Sequence, residues 1–216
     1  LDDDTTLILD KRSHASIIDG ALLAQGNHPD LEIRFFKHNN LKSLKKILDT
    51  SEHDKKLVMV EGLYSVDGDM APLGDIVDLC RDYNAAIVLD DAHGLGSLGR
   101  TGRGVAEIFD VQREVDIVIG TFSKSFGTTG GFVCADRELI DYVKLQARSF
   151  VYSASLPLAQ VEAAITGLDM IENDTWRLKR LARNAAFFRE GLADLGFDVG
   201  DSCTHITPIM IRDELQ

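Results

Sequence analysis

Ala86-Ile87-Val88-Leu89-Asp90-Asp91-Ala92-His93-Gly94 is the stretch that decides the fold. Four apolar residues in succession read as a strand buried on both faces, the pattern of a parallel sheet covered by helices on either side. The run stops in two aspartates, a histidine and a glycine, so polar chemistry gathers at the strand's carboxyl end. In open parallel sheets that end is where ligands bind.

Outward from this strand, similar short apolar runs recur at Leu7–Leu9, Ile33–Phe36, Leu57–Val60, Ile117–Ile119 and Gly131–Cys134. Helical apolar spacing fills the gaps at Ala15–Ala24, Leu41–Leu48, Leu73–Tyr83 and Arg137–Arg148. Strand–helix alternation of this kind predicts an α/β fold: three layers around a mostly parallel sheet. From Leu158 to about Leu195 the spacing stays helical, with a break at Asn173–Asp174. Gly196, then Phe197–Val199 and Thr207–Ile211, read as the start of a new element with strands of its own. The expected organisation is a large domain over residues 1–157, connecting helices over 158–195, and the beginning of a smaller C-terminal domain over 196–216.

The bulk numbers narrow the function. With 44% hydrophobic and 27% charged residues in 216, the chain is globular in composition. A net charge of −12 argues against a nucleic-acid surface, which needs a basic stripe. It leaves room for a small anion held by local N–H groups. Cys80, Cys134 and Cys203 are odd in number and lack metal-ligand spacing, so neither a disulfide framework nor a metal centre is expected. That usage, with no apolar run of membrane-spanning length, reads as a cytoplasmic protein. The chain opens at Leu1 without an initiator Met and closes just after a strand-like run; both ends read as cut.

Three strands run into polar clusters that a parallel sheet would bring to one crevice. Ala86–Leu89 leads to Asp90 and His93, Ile117–Ile119 to Thr121, Ser123 and Lys124, and Leu57–Val60 to Glu61 and Ser65. An amine, a carboxylate, an imidazole and several hydroxyls are what pyridoxal 5'-phosphate (PLP) requires. The lysine forms a Schiff base, the acid keeps the ring nitrogen protonated, and the hydroxyls bind phosphate. Singly, each has a commoner reading: Lys124 as a solvated charge, Asp90 as a cap, His93 as a structural histidine, Ser65 as a turn residue. Their conjunction carries the case. Gly94-x-Gly96-x-x-Gly99 satisfies a dinucleotide-binding pattern, but two aspartates precede it and a glycine-rich loop, not a helix, follows.

Asp90-Asp91-Ala92-His93-Gly94, Gly120-Thr121-Phe122-Ser123-Lys124-Ser125 and the stretch Ser13–Gly20 together resemble the α-oxoamine synthases, PLP enzymes of fold type I. Glu61–Asp69 and Phe150–Pro157 add matching blocks, in order, over nearly the whole chain. The resemblance implies that residues 1–157 are a PLP-binding large domain. It implies Lys124 as the cofactor-bearing lysine, Asp90 as partner of the ring nitrogen, and His93 as donor to the ring oxygen. By the same resemblance His14 stacks on the ring, Ser65 lies near the ring oxygen, and Thr121 and Ser123 contact the phosphate. It further implies a decarboxylative condensation of an amino acid with an acyl thioester, on coenzyme A or an acyl-carrier protein.

An obligate homodimer is implied too, with the Ser153–Ser155 loop reaching the neighbouring subunit; at Ala154 family members often carry threonine. Ser123 before Lys124, where glycine-using ligases tend to have glycine, is most similar to the serine palmitoyltransferase branch. 8-Amino-7-oxononanoate synthase, glycine C-acyltransferase-type relatives and a PLP aminotransferase of the same fold are the alternatives. A non-catalytic subunit is expected to lose the lysine. Full-length members also carry an N-terminal segment and a C-terminal arginine-bearing domain beyond these blocks. His28, His38, His53 and His205 match no motif and are expected to be surface or structural residues.

Overall fold

A computed structural model describes residues 2–211. Six strands form one sheet in the order β2-β1-β3-β4-β5-β6. They are β1 (Thr5–Asp10), β2 (Glu32–Phe36), β3 (Lys55–Glu61), β4 (Ala86–Asp90), β5 (Ile117–Thr121) and β6 (Gly131–Ala135). Neighbours are parallel from β2 through β5, and β6 pairs antiparallel to β5. All six expected strands are present, each within two residues of its sequence reading.

Side chains alternate across the sheet with the two-residue period of a strand. Ile8, Val58, Val60, Ile87 and Leu89 face one core with helices α2 (Leu41–Thr50), α3 (Leu73–Asp82) and α4 (Val105–Phe109). Leu7, Leu9, Leu57 and Met59 face the other with α1 (Ala15–Asn27). The sheet is therefore the middle of three layers, as the continuous apolar strands required. Every residue of β1 is buried. β2 lies on one side of β1 and β3 on the other, so the chain reverses its direction of travel across the sheet there. Such a switch point opens a crevice at the carboxyl ends of the strands.

The helical stretch at 137–148 divides at Ala147 into α5 (Arg137–Gln146) and α6 (Arg148–Val151). Helices α7 (Leu158–Asn173) and α8 (Trp176–Asp194) follow, interrupted at Asp174 where the sequence showed the break. No described helix is long and apolar enough to cross a membrane.

One element is new to the structure and one reading is corrected. Helix α4 was not foreseen, because five residues are too few for a helical period to register. The strand-like runs Phe197–Val199 and Thr207–Ile211 form no strand in the described residues; a single backbone bond, Met210 N–H to the Asp198 carbonyl at 2.8 Å, joins them. An isolated two-stranded pairing lacks the neighbours that make a ladder stable. The remainder of the expected C-terminal element, residues 212–216, lies outside the described residues.

Candidate active site

The carboxyl ends of β3, β4 and β5 are held level by backbone bonds. Gly62 N–H donates to the Asp90 carbonyl at 2.8 Å, and Asp91 N–H to the Ile119 carbonyl at 3.0 Å. The register pairs Glu61 with Asp90 across adjacent strands. Beyond these ends a cavity of about 310 Å³ is lined by His14, Asp90, His93, Thr121, Ser123 and Lys124. Six of the seven residues singled out in the sequence thus converge on one concavity. Ser65, on the loop after β3, is not among its lining residues. Volume alone does not select this site. A cavity of about 780 Å³ lies beside Arg100, Arg103 and Glu107, but Glu107 is already engaged by the N–H groups of Thr101 and Arg103 at 3.1 Å.

The loop after β5 is tied down on both sides of its lysine. Thr121 Oγ1 lies 2.8 Å from Ser123 Oγ, accepts from Ser123 N–H at 3.2 Å, and donates to the Gly130 carbonyl at 3.1 Å. Ser125 Oγ donates to the Leu95 carbonyl at 2.7 Å, joining this loop to the one after β4. The rings of Phe122, Phe126 and Phe132 pack together beneath it, with centroids 4.9 to 5.8 Å apart. Ser123 and Lys124 are exposed above this anchored base. The glycine-rich segment after His93 is a loop of turns, so the dinucleotide pattern there lacks the helix it needs.

His14 serves two purposes. It is the N-cap of α1, where its Nδ1 accepts from Ser16 N–H at 3.3 Å and meets Ser16 Oγ at 2.8 Å. Capping fixes the ring on the cavity's rim and leaves its proton on Nε2. His93 is half-buried, and burial, then the Lys124 charge and the neighbouring histidines, push its pKa down to about 4. At neutral pH it is an uncharged imidazole with one N–H to give. His205 is among those neighbours, so it lies closer to the site than its lack of a motif implied.

Two acids named at the strand ends have no role in the sequence reading. Glu61 is buried and lines the cavity. Burial, then the Asp90 charge, raise its pKa to about 7. The available signal was its position: an acid closing β3 at the register of the acid closing β4. Asp91 turns the other way from Asp90, into the core, where Oδ2 accepts from Val105 N–H at 2.8 Å. Burial raises its pKa to about 7 as well.

An acid whose pKa is raised by folding binds its proton more tightly folded than unfolded, so stability falls as pH rises from the unfolded value toward 7. Urea unfolding of the cofactor-free chain should show lower stability at pH 8 than at pH 5. Glu61→Gln should shrink that difference by about 2 kcal/mol; an unchanged difference would mean that Glu61 is not protonated in the fold.

An amine, a carboxylate, a neutral imidazole and two hydroxyls in one cavity can hold a carbonyl compound covalently, pair with a heteroaromatic nitrogen and bind a phosphate. The whole chain, residues 1–216, matches the family model for aminotransferase class I and II. The chain belongs to that family. Among its curated relatives, 8-amino-7-oxononanoate synthase of Thermosipho melanesiensis is 42% identical over 213 residues, covering 98% of this chain and 53% of that protein. Serine palmitoyltransferase of Bacteriovorax stolpii is 39% identical over 212 residues, 97% of this chain and 49% of that protein. A solved serine palmitoyltransferase from S. paucimobilis, with a bound PLP–myriocin aldimine, matches with a TM-score of 0.89 at 37% identity, covering 98% of this chain and 54% of that one. Both kinds of relative are α-oxoamine synthases, so the family resemblance and the fold class of the sequence reading hold. The chain spans about half the length of the curated relatives it matches.

Proposed function

We propose that this chain carries the cofactor site of a PLP-dependent acyltransferase, which condenses an amino acid with an acyl-CoA thioester and releases coenzyme A and carbon dioxide to give an amino ketone. The observation that carries the reading is the meeting of Lys124, Asp90, His93 and His14 in one cavity at the ends of β1, β4 and β5. Bound PLP supplies an electron sink for the pair left on Cα when a bond there breaks. Lys124 is the residue that attaches it covalently, and its amine, once displaced by substrate, takes the Cα proton. Asp90 keeps the ring nitrogen protonated, with its carboxylate steadied by Ala92 N–H at 3.1 Å. Neutral His93 donates to the ring oxygen, and His14 stacks on the ring and orients the amino acid. Thr121 and Ser123 give their hydroxyls to the phosphate; Ser65, outside the cavity lining, is assigned to the ring oxygen by the family resemblance alone.

The amino acid in this reading is serine, on the strength of Ser123 beside Lys124 and the likeness to serine palmitoyltransferases. The 8-amino-7-oxononanoate synthase reaction is the second reading, favoured by the 42% identity of such a relative. Residues 1–157 form the PLP-binding large domain in this account, 158–195 the connection, and 196–216 the beginning of a smaller domain. The working form is a cytoplasmic homodimer, with the Ser153–Ser155 loop at the partner's phosphate and the acyl group arriving on coenzyme A or a carrier protein.

The test is an assay of the PLP-loaded protein containing this chain. Serine, glycine and alanine are screened by the change in cofactor absorbance, then by thiol release from palmitoyl-CoA. Serine should give the largest spectral change and acyl-CoA-dependent thiol release. A preference for alanine would move the assignment to the second reading. Turnover that needs a keto acid and releases no thiol would make the protein an aminotransferase and end the proposal.

A further inference from the structure

His38 belongs to no motif, yet the structure gives its ring two carboxylates. Its Nδ1 lies 2.9 Å from Asp10 Oδ1 and its Nε2 2.8 Å from Asp69 Oδ2. A carboxylate only accepts, and a neutral imidazole has one donor nitrogen, so both contacts are made together only when both ring nitrogens carry hydrogen. Asn39 repeats the bridge beside it. Its N–H donates to Asp10 Oδ2 at 2.9 Å, and its Nδ2 to Asp69 Oδ2 at 2.8 Å and the Met70 carbonyl at 3.1 Å.

The two acids belong to different loops. Asp10 ends β1, also accepts Arg12 N–H at 2.8 Å, and begins the loop that delivers His14 to α1. Asp69 closes the turn after β3 that carries Ser65, its carbonyl accepting Tyr64 N–H at 3.0 Å. The charged and titratable groups facing the ring are these two acids, the Tyr64 phenol ring edge-on at 4.5 Å, and the Arg12–Asp67 ion pair at 2.6 Å alongside. Glu61, on β3, feels the Asp10 charge directly and faces the Tyr64 phenol together with it.

We infer that His38, as an imidazolium bridging Asp10 and Asp69, is a positioning residue that sets the loop bearing His14 against the loop bearing Ser65. This rests on the PLP reading for its consequence, though not for its geometry. Asp10 is fully buried, and removing the cation opposite a buried charge is far costlier than removing a surface partner. Burial alone would lower the imidazole's pKa, but the two carboxylates overcome it and the value is raised. The clasp is therefore closed below that raised value and opens as pH rises through it.

Three readings on the same protein test this. Nitrogen-15 NMR of the wild type, with His38 assigned by the signal lost in His38→Gln, should show both ring nitrogens still protonated at a pH where an ordinary histidine is half titrated; a His38 that titrates at or below an ordinary histidine overturns the inference. Amide exchange in His38→Gln, and more mildly in Asp69→Asn, should quicken about tenfold or more in residues 11–14 and 62–70 alone. Acceleration spread evenly over β3 and β4, or confined to one loop, overturns it as well. PLP should bind His38→Gln about tenfold more weakly than wild type, with the wild-type affinity itself falling as pH rises through the His38 titration. Equal affinities with quickened loops would show that the clasp does not reach the cofactor, which ends the inference. A wild-type protein that binds no PLP would defeat the proposed function, while the first two readings would still decide the clasp.

Discussion

Lys124→Ala protein should fold as the wild type does and carry no covalently bound cofactor. The side chain is exposed on a loop held by other residues: the Thr121 and Ser125 hydroxyls and the three packed phenylalanines. Its removal should change stability by no more than about 0.5 kcal/mol, the usual range for a surface position without special contacts. Function should respond very differently. The amine is both the attachment point and the Cα base in the proposed reaction, so activity should fall about a thousandfold or more. The measurement is borohydride reduction of the PLP-loaded protein followed by peptide mass spectrometry. Wild type should carry the phosphopyridoxyl mass on the peptide containing Lys124, and the variant should carry none. The label found on another lysine in wild type would overturn the assignment of Lys124, and with it the roles given to Asp90 and His93.

What made this site legible was the order of chemistry along the strands. β1, β3, β4 and β5 are apolar almost to their ends, so the sheet and its buried faces follow from sequence, and the polar residues that end them mark the crevice. At His14 the helix cap is what fixes the ring at the cavity, and the stacking role proposed for it builds on that placement.

The rest depended on contacts between residues far apart in sequence. Helix α4 spans only five residues, and its first N–H is received by Asp91, fourteen positions earlier. No local period could announce it. Glu61 looks like the polar edge of a strand until the register sets it beside Asp90. Asp90 closes β4 and Asp91 is the next residue along, so their side chains leave on opposite sides and only the first reaches the cavity. His38 is isolated in sequence because its partners come from β1 and the loop after β3. The strand-like runs near the C-terminus misled for the converse reason: β-branched composition marks a preference that only a sheet neighbour can satisfy.

The inward aspartate sets the largest stability effect expected of a single methyl group. Asp91 sits where the chain passes close three times. A Cβ built on Gly62, Gly94 or Gly104 would lie 2.5, 2.1 or 1.8 Å from one of its carboxylate oxygens. Gly104 also has a φ of +81°, which disfavours any L side chain there. Gly104→Ala must therefore strain its own backbone and push Asp91 off Val105 N–H, leaving a buried carboxylate without that donor. Strain and a lost buried bond together should cost about 3 kcal/mol or more. Gly20→Ala is the matched control: it lies in α1 with nothing within 4 Å of the added methyl, and should stabilise by about 0.5–1 kcal/mol through helix preference alone. Urea midpoints of the two variants should move in opposite directions. Because the carboxylate beside Asp91 is Asp90, Gly104→Ala should also weaken PLP binding while Gly20→Ala leaves it as it was. A Gly104→Ala protein within 1 kcal/mol of wild type would show that the loops around Asp91 yield freely, and that the inward acid does not hold the outward one in place.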